Sequence, residues 1–282
     1  MATRLILLDV GGSYIKCADG RKIPIPSRGS REAIAAALQE AVEMPGQAGH
    51  DERVAGHDAP VTPDLIGGLG IAIPGPFDFH EGVFLMKHKY AGVYGERFRD
   101  LAGIPDTVPV KFMHDVNAPL IGALRMLGLR NAALVTIGTG LGFSYALDGV
   151  VKENPEGSPA LSLWNRPWKD GILEDIVSAR GISTAYTRKS GQPCSSAYDV
   201  AKKANAGDLA ALEAYSEAGA TLGEALQPLM EELGIDTLLM GGQISKSLNL
   251  MIRPLQNALE GVSISQAPEG AVFEGLKTLF EN

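Results

Sequence analysis

Four short stretches of this chain carry residue types that can handle a phosphate. Asp9 closes the aliphatic run Leu5-Ile6-Leu7-Leu8, and Gly11, Gly12, Ser13 and Lys16 follow within seven residues. A carboxylate at the tip of a buried strand can serve a metal ion, and glycines let backbone N–H groups turn toward an anion, through positive φ where needed. Ser13 adds a hydroxyl and Lys16 a cation; the competing reading is an ordinary hairpin turn with an exposed Asp. A second carboxylate, Asp115, sits between His114 and Val116-Asn117. It is placed either to take a proton or to cap the helix that follows. Gly138-Thr139-Gly140 and Gly241-Gly242 each terminate an apolar run. Each glycine turn alone is a weak signal. Three of them after apolar strands point to one phosphate-bearing ligand held by backbone amides from both halves of the chain. None forms the G-x-G-x-x-G dinucleotide fingerprint or a P-loop.

The elements that must position these residues alternate between strand and helix. Buried strands are expected at 5–8, 65–73, 108–113, 132–137 and 237–240, from aliphatic runs bounded by turn residues. Lys22–Pro26 reads as the return strand of a first hairpin, and Phe143–Leu147 with Val150–Lys152 as a second, joined by Asp148-Gly149. Helices are expected over Arg31–Met44 behind the N-cap Ser30, over Pro119–Leu127, through most of Asp170–Glu232, and over Ser245–Leu259 and Ala271–Phe280. The polar stretch 45–63, with His50 and His57, reads as a solvated surface loop. The region Gly82–Asp106, with Lys87-His88-Lys89-Tyr90, reads as irregular surface or the edge of a lid.

Size and charge set outer bounds. The chain has 282 residues, enough for two domains, with 45% hydrophobic and 21% charged residues, as in ordinary globular proteins. A net charge of −8 argues against a general nucleic-acid binder. Cys17 and Cys194 are the two cysteines and form no C-x-x-C pair, so neither a disulfide framework nor a zinc cluster is implied. No signal peptide or run of ~20 apolar residues is present, so a cytoplasmic protein with no membrane partner is expected.

In this order, the motifs resemble those of the ROK family of sugar kinases and repressors, within the actin, sugar-kinase and heat-shock-chaperone ATPase superfamily. Asp9-Val10-Gly11-Gly12-Ser13-Tyr14-Ile15-Lys16 resembles the first phosphate motif, D-x-G-G-T-x-x-K, with Ser for Thr. Ile73-Pro74-Gly75-Pro76 is similar to the V-P-G-P loop at the sugar cleft, and Asp115-Val116-Asn117-Ala118 to D-A-N-A, whose Asp is the catalytic base. Ile137–Gly142 is similar to the second phosphate motif, and Leu239–Ser245 to the adenosine motif. Gly171-Ile172-Leu173-Glu174 is similar to the segment whose Glu contacts the sugar; a first-turn helical carboxylate is the competing reading of Glu174.

The resemblance implies an α/β chain with the two-domain, actin-like (ribonuclease H-like) ATPase fold, divided as 1–117 and 118–282, with nucleotide and sugar in the cleft between the domains. The last helix is expected to return to the first domain. The implied activity is ATP-dependent phosphorylation of a hydroxyl on a sugar or sugar derivative. Asp115 would be the general base, and Gly75, His114, Asn117 and Glu174 would bind the sugar. Gly11, Gly12, Ser13, Lys16, Gly138, Thr139, Gly140, Gly241 and Gly242 would hold ATP, with Asp9 holding Mg²⁺ through its water ligands. A homodimer is admitted, and a nucleic-acid partner is not expected: only eight residues precede Asp9, too few for the helix-turn-helix of the family's repressors.

The departures fall in the sugar pocket. His114 stands where the family has Asn, Ala123 where it has Glu, and Leu161-Ser162-Leu163-Trp164 where it has E-x-G-H; the zinc-binding C-x-C-G-x-x-G-C run is absent. Hence zinc is not expected, and plain glucose is not expected to be the preferred acceptor. The alternative reading is a weak or inactive kinase-like protein that senses or binds sugar.

Overall fold

The computed structural model describes residues 4–43 and 66–281, and the 45–63 stretch with its two histidines lies outside the described residues. The chain folds as two compact units. One comprises Met1–Ala118, Pro155–Ser158 and Val272–Asn282, the other Pro119–Asn154 and Pro159–Ala271.

The first unit opens with β1 (Arg4–Val10), β2 (Tyr14–Cys17) and β3 (Lys22–Pro24), an antiparallel meander, followed by α1 (Arg31–Val42). Helix α1 starts where the Ser30 hydroxyl accepts from the Ala33 N–H at 3.4 Å, and buries Ile34, Leu38 and Ala41 on one face. Next come β4 (Ile66–Ile73), a two-stranded hairpin of β5 (Phe77–Asp78) and β6 (Val83–Phe84), the short α2 (Phe98–Ala102) and β7 (Val110–His114); α3 (Asn117–Leu127) follows and belongs to the second unit from Pro119 onward. The sheet order is β3-β2-β1-β4-β7, with β1, β4 and β7 mutually parallel. Parallel register brings Asp9 beside Ala72, and Ile73 beside His114. One edge of this sheet therefore collects Asp9, the Pro74-Gly75 turn and Asp115, the edge at which open α/β sheets bind ligands.

The second unit repeats this plan. Strands β8 (Ala132–Ile137), β9 (Leu141–Leu147) and β10 (Val150–Val151) form a meander, with Asp148 and Gly149 both at positive φ in the tight turn. A small hairpin of β11 (Pro167–Trp168) and β12 (Gly171–Ile172) precedes α4 (Ala179–Ser190), α5 (Ala197–Asn205) and the 25-residue α6 (Leu209–Leu233). Then follow β13 (Thr237–Gly241), α7 (Ile252–Ala258) and β14 (Ser263–Gln266); α8 (Ala271–Lys277) comes next in the chain and belongs to the first unit from Val272 onward. The sheet order is β10-β9-β8-β13-β14, with β8, β13 and β14 parallel. Helix α6 buries Tyr215, Leu222 and Leu226 in the same core as Val135, Ile137 and Leu238 of the sheet, each full burial of such a side chain being worth ~1.5–3 kcal/mol.

Three expected elements are corrected. The region 82–106 is no irregular surface: Phe84, Met86, Tyr90, Val93 and Phe98 are fully buried in the core of the first unit. Helix α3 begins at Asn117, two residues before Pro119, so Asn117 lies in the first turn and is fully buried. The expected helix 245–259 is broken into a 3-10 stretch Ile244–Leu250, with a kink at Ser247, and α7. A proline ring collides with the carbonyl four residues back, so Pro254 is accommodated in the first turn of a new helix. Residues Val272–Asn282 belong to the first unit. There Phe280 packs against Gly68 and Gly70, and Gly275 lies on the Ala118 backbone.

Candidate active site

In the first unit, the register of the β1–β2 hairpin sets Lys16 opposite Asp9, and Lys16 Nζ lies 2.6 Å from Asp9 Oδ2. Burial pushes the Asp9 carboxyl above its ordinary range, Lys16 draws it back down, and the Asp115 carboxylate pushes it up again. The two acids thus share one electrostatic environment. The Asp115 N–H donates to the Ile73 carbonyl at 3.1 Å, extending the β4–β7 ladder one residue past the strand. Asp115 Oδ1 lies 3.0 Å from His114 Nδ1, which also accepts the Val116 N–H at 3.3 Å. His114 Nε2 faces the other way, across Gly75, where an added Cβ would stand 3.5 Å from it and 3.5 Å from Ser158 Oγ. The structure thereby brings Asp9, Gly75, His114 and Asp115 to one sheet edge, with Asn117 buried behind them.

The first glycine turn is built differently from the sequence expectation. Neither Gly11 nor Gly12 takes a positive φ. Their lack of a side chain serves close approach instead: a Cβ on Gly11 would come within 3.1 Å of the Tyr14 carbonyl, and one on Gly12 would meet the Lys89 side chain at 3.5 Å. The Gly11 N–H is spent on Tyr14 O at 3.0 Å, so it does not face an anion. Among the described residues, the N–H groups of Gly12 and Ser13 donate to no protein acceptor. Tyr90 Oη donates to Gly11 O at 2.5 Å, Ser27 Oγ donates to Gly12 O at 2.5 Å, and the Tyr90 N–H donates to Ser27 O at 2.5 Å. Burial, then the charges of Asp115 and Asp9, push the Tyr90 hydroxyl well above its ordinary value, so it stays a donor. Sequence reasoning missed Ser27 and Tyr90. An aromatic in a cation-rich segment was the one signal, and it does not say that the segment returns to residue 11.

In the second unit, the Gly138 N–H closes onto Gly140 O at 2.9 Å, and the Gly138 carbonyl accepts the first N–H of α4, from Ala179, at 2.8 Å. Ser178 caps that helix, its Oγ accepting from Gly181 N at 3.1 Å. Glu174 Oε2 accepts the Leu141 N–H at 2.9 Å and stands 2.9 Å from where a Cβ on Gly140 would sit. Glu174 is therefore seated on the second glycine turn, and its own N–H donates to the carbonyl of Trp164, whose side chain is 48% exposed. Parallel pairing of Gly241 with Thr136 brings the adenosine-type turn to the same edge. Gly242 has φ +82° and lies so close to Ile137 that a Cβ would be 2.3 Å from its carbonyl oxygen. The glycines 138, 140, 241 and 242, with Thr139, thus form one backbone-lined group.

No family model matches the chain. A glucokinase from Halalkalibacterium halodurans is 25% identical over 305 residues, spanning 94% of this chain and 88% of that protein. A ROK family glucokinase from Streptomyces griseus, solved with glucose and AMPPNP, superposes with a TM-score of 0.77 at 19% identity over 98% of both chains. The chain has the fold of the ROK sugar kinases. A ROK family transcriptional regulator, homologous to the MLC protein of E. coli, shares the fold at TM-score 0.73 and 17% identity, over 99% of this chain and 81% of that one. Because the ROK fold serves regulators as well as kinases, the residues at the sheet edges must decide the activity.

Among the described residues, no group of three or more His, Cys, Asp and Glu is placed to hold a metal ion, and no helix is long and apolar enough to cross a membrane. A single carboxylate that is partly exposed, as Asp9 is at 16%, suits Mg²⁺, which keeps most of its water and takes its remaining ligands from substrate phosphates.

Proposed function

We propose that this ROK-type chain transfers the γ-phosphoryl group of ATP to a hydroxyl of a sugar or sugar derivative. The observation that carries the reading is the pairing of two acids at one edge of the first sheet, Asp115 with His114 against it and Asp9 within its electrostatic reach. A protein that only binds sugar has less need of both. Asp115 takes the proton as the acceptor O–H bond breaks and the O–P bond forms, with ADP leaving; such a base contributes ~10²–10⁴-fold. Gly12, Ser13, Thr139, Gly140, Gly241 and Gly242 hold the nucleotide. Asp9 holds Mg²⁺ through water, and Mg²⁺ when bound neutralises phosphate charge.

Gly75 and His114 orient the acceptor, and Glu174, fixed on Leu141 by one oxygen, is left the other for a hydroxyl; Asn117, expected from the sequence to bind the sugar, is fully buried and supports the site from within the fold. Leu161 and Trp164 in place of a carboxylate and an imidazole remove hydroxyl partners and add an apolar wall, which disfavours plain glucose. The test is an ADP-release screen with Mg-ATP against hexoses, amino sugars, sugar acids and polyols. Turnover with a substituted sugar ahead of glucose supports the proposal. Sugar binding without ADP release from any acceptor would favour the sensing reading instead.

A further inference from the structure

The cation expected at the phosphate turn from the sequence is Lys16, yet its ammonium is committed to Asp9 at 2.6 Å. A different lysine occupies the face of the turn. A Cβ on Gly12 would lie 3.5 Å from Lys89 Cε, 3.6 Å from Cδ and 3.7 Å from Nζ, so the end of this side chain runs alongside the Gly12 backbone. Lys89 is half-buried, and among the described residues its ammonium pairs with no carboxylate. Its position is held by its neighbour. Tyr90 adopts the left-handed conformation, φ 55° and ψ 22°, which an aromatic residue takes only when its surroundings enforce it. The enforcement is the set of bonds from Tyr90 to Gly11 and Ser27 and from Ser27 to Gly12, which ties segment and turn together. A cation kept unneutralised beside N–H groups that face no protein acceptor is an anion site in all but its anion.

We infer that Lys89, and not Lys16, is the side-chain cation that contacts the γ-phosphoryl group of ATP. This deepens the kinase reading and rests on it. Lys16 instead balances the Asp9 charge. A compact ammonium at this point meets the oxygens over which charge spreads as the phosphoryl group moves.

The test compares Mg-ATP and Mg-ADP binding by titration calorimetry for the wild type, Lys89→Met, Lys89→Arg and Lys16→Met, with thermal melts as fold controls. No acceptor sugar is needed. Lys89→Met is expected to weaken Mg-ATP about ten- to hundredfold, the worth of a charged hydrogen bond, while changing Mg-ADP less than about threefold. Lys89→Arg is expected to restore much of the preference for ATP, and Lys16→Met to leave that preference intact. Loss of the preference in Lys16→Met with Lys89→Met unaffected, or equal weakening of both nucleotides in Lys89→Met, overturns the assignment. Should Lys89→Met fail to fold, Lys89→Gln takes its place under the same criteria: selective weakening of Mg-ATP supports the contact, and an unchanged ATP-to-ADP ratio overturns it. A wild type that binds neither nucleotide overturns the kinase reading itself, a result distinct from the others.

Discussion

Replacing Gly242 by alanine tests whether the adenosine-type turn depends on its contact with the end of β8. Two costs follow from the geometry. At φ +82° an L-residue costs ~1–2 kcal/mol over glycine. The new methyl would also lie 2.3 Å from Ile137 O and 2.8 Å from Ile137 C and N, all backbone atoms that cannot rotate away. Opening the β8–β13 seam to fit it resembles overpacking a core, at ~1–3 kcal/mol. The combined loss is about 2–5 kcal/mol. At ~2–4 °C per kcal/mol for a chain of this size, the melting temperature is expected to fall by roughly 10 °C. Gly241→Ala is the matched control, since its Cβ would meet the Thr136 methyl at 3.2 Å and the Leu134 methyl at 3.5 Å, at ordinary φ. It is expected to cost under ~1 kcal/mol. Calorimetric melts of both variants, with Mg-ATP affinity measured beside them, decide the matter. A Gly242→Ala protein melting within about 2 °C of wild type, or a Gly241→Ala protein equally destabilised, refutes the reasoning.

Two further outcomes are expected. Burial raises the Asp9 carboxyl above its unfolded value, so this group's contribution to stability is present at low pH and is lost as pH rises through its folded pKa. Asp9→Asn is accordingly expected to keep or raise the melting temperature near pH 7 while abolishing turnover, because it removes a carboxylate whose desolvation outweighs its attraction to the half-exposed Lys16; a clearly lower melting temperature contradicts this. For metals, Cys17 is a buried thiol pushed up to about 11 by desolvation, and by the motif resemblance Trp164 replaces a ligand His, so chelator-washed protein is expected to carry no zinc. Stoichiometric zinc by elemental analysis contradicts that expectation.

Much of the frame was legible because aliphatic runs ending in glycine or Asp leave few alternatives to a buried parallel strand. Asp9, Gly138 and Gly241 stand at the ends of such runs, whereas Asp115, behind the interrupted run Val108–His114, was singled out by its resemblance to the D-A-N-A motif. What escaped had no periodic signature. Tyr90 and Lys89 lie in a segment without regular hydrophobic spacing, and only tertiary hydrogen bonds reveal that it closes on Gly11 and Gly12. The roles of the glycines also shifted. Gly11 and Gly12 allow close approach at ordinary φ, while Gly242 needs both freedoms, and composition cannot separate these cases. Lys16 was the natural phosphate cation by sequence distance, but strand register pairs it with Asp9. The common strand order of the two sheets emerges only from pairing, because the halves share their plan rather than their residues.

Under the kinase reading, Asp115 acts on the acceptor hydroxyl and not on the nucleotide. The most direct test of this claim is Asp115→Asn, with turnover measured against the best acceptor of the screen and Mg-ATP affinity measured by calorimetry on the same preparation. A loss of ~10²-fold or more in kcat is expected, with ATP affinity within about threefold of wild type. A variant that keeps more than about a tenth of wild-type turnover contradicts the claim, as does one whose loss is fully explained by weakened ATP binding.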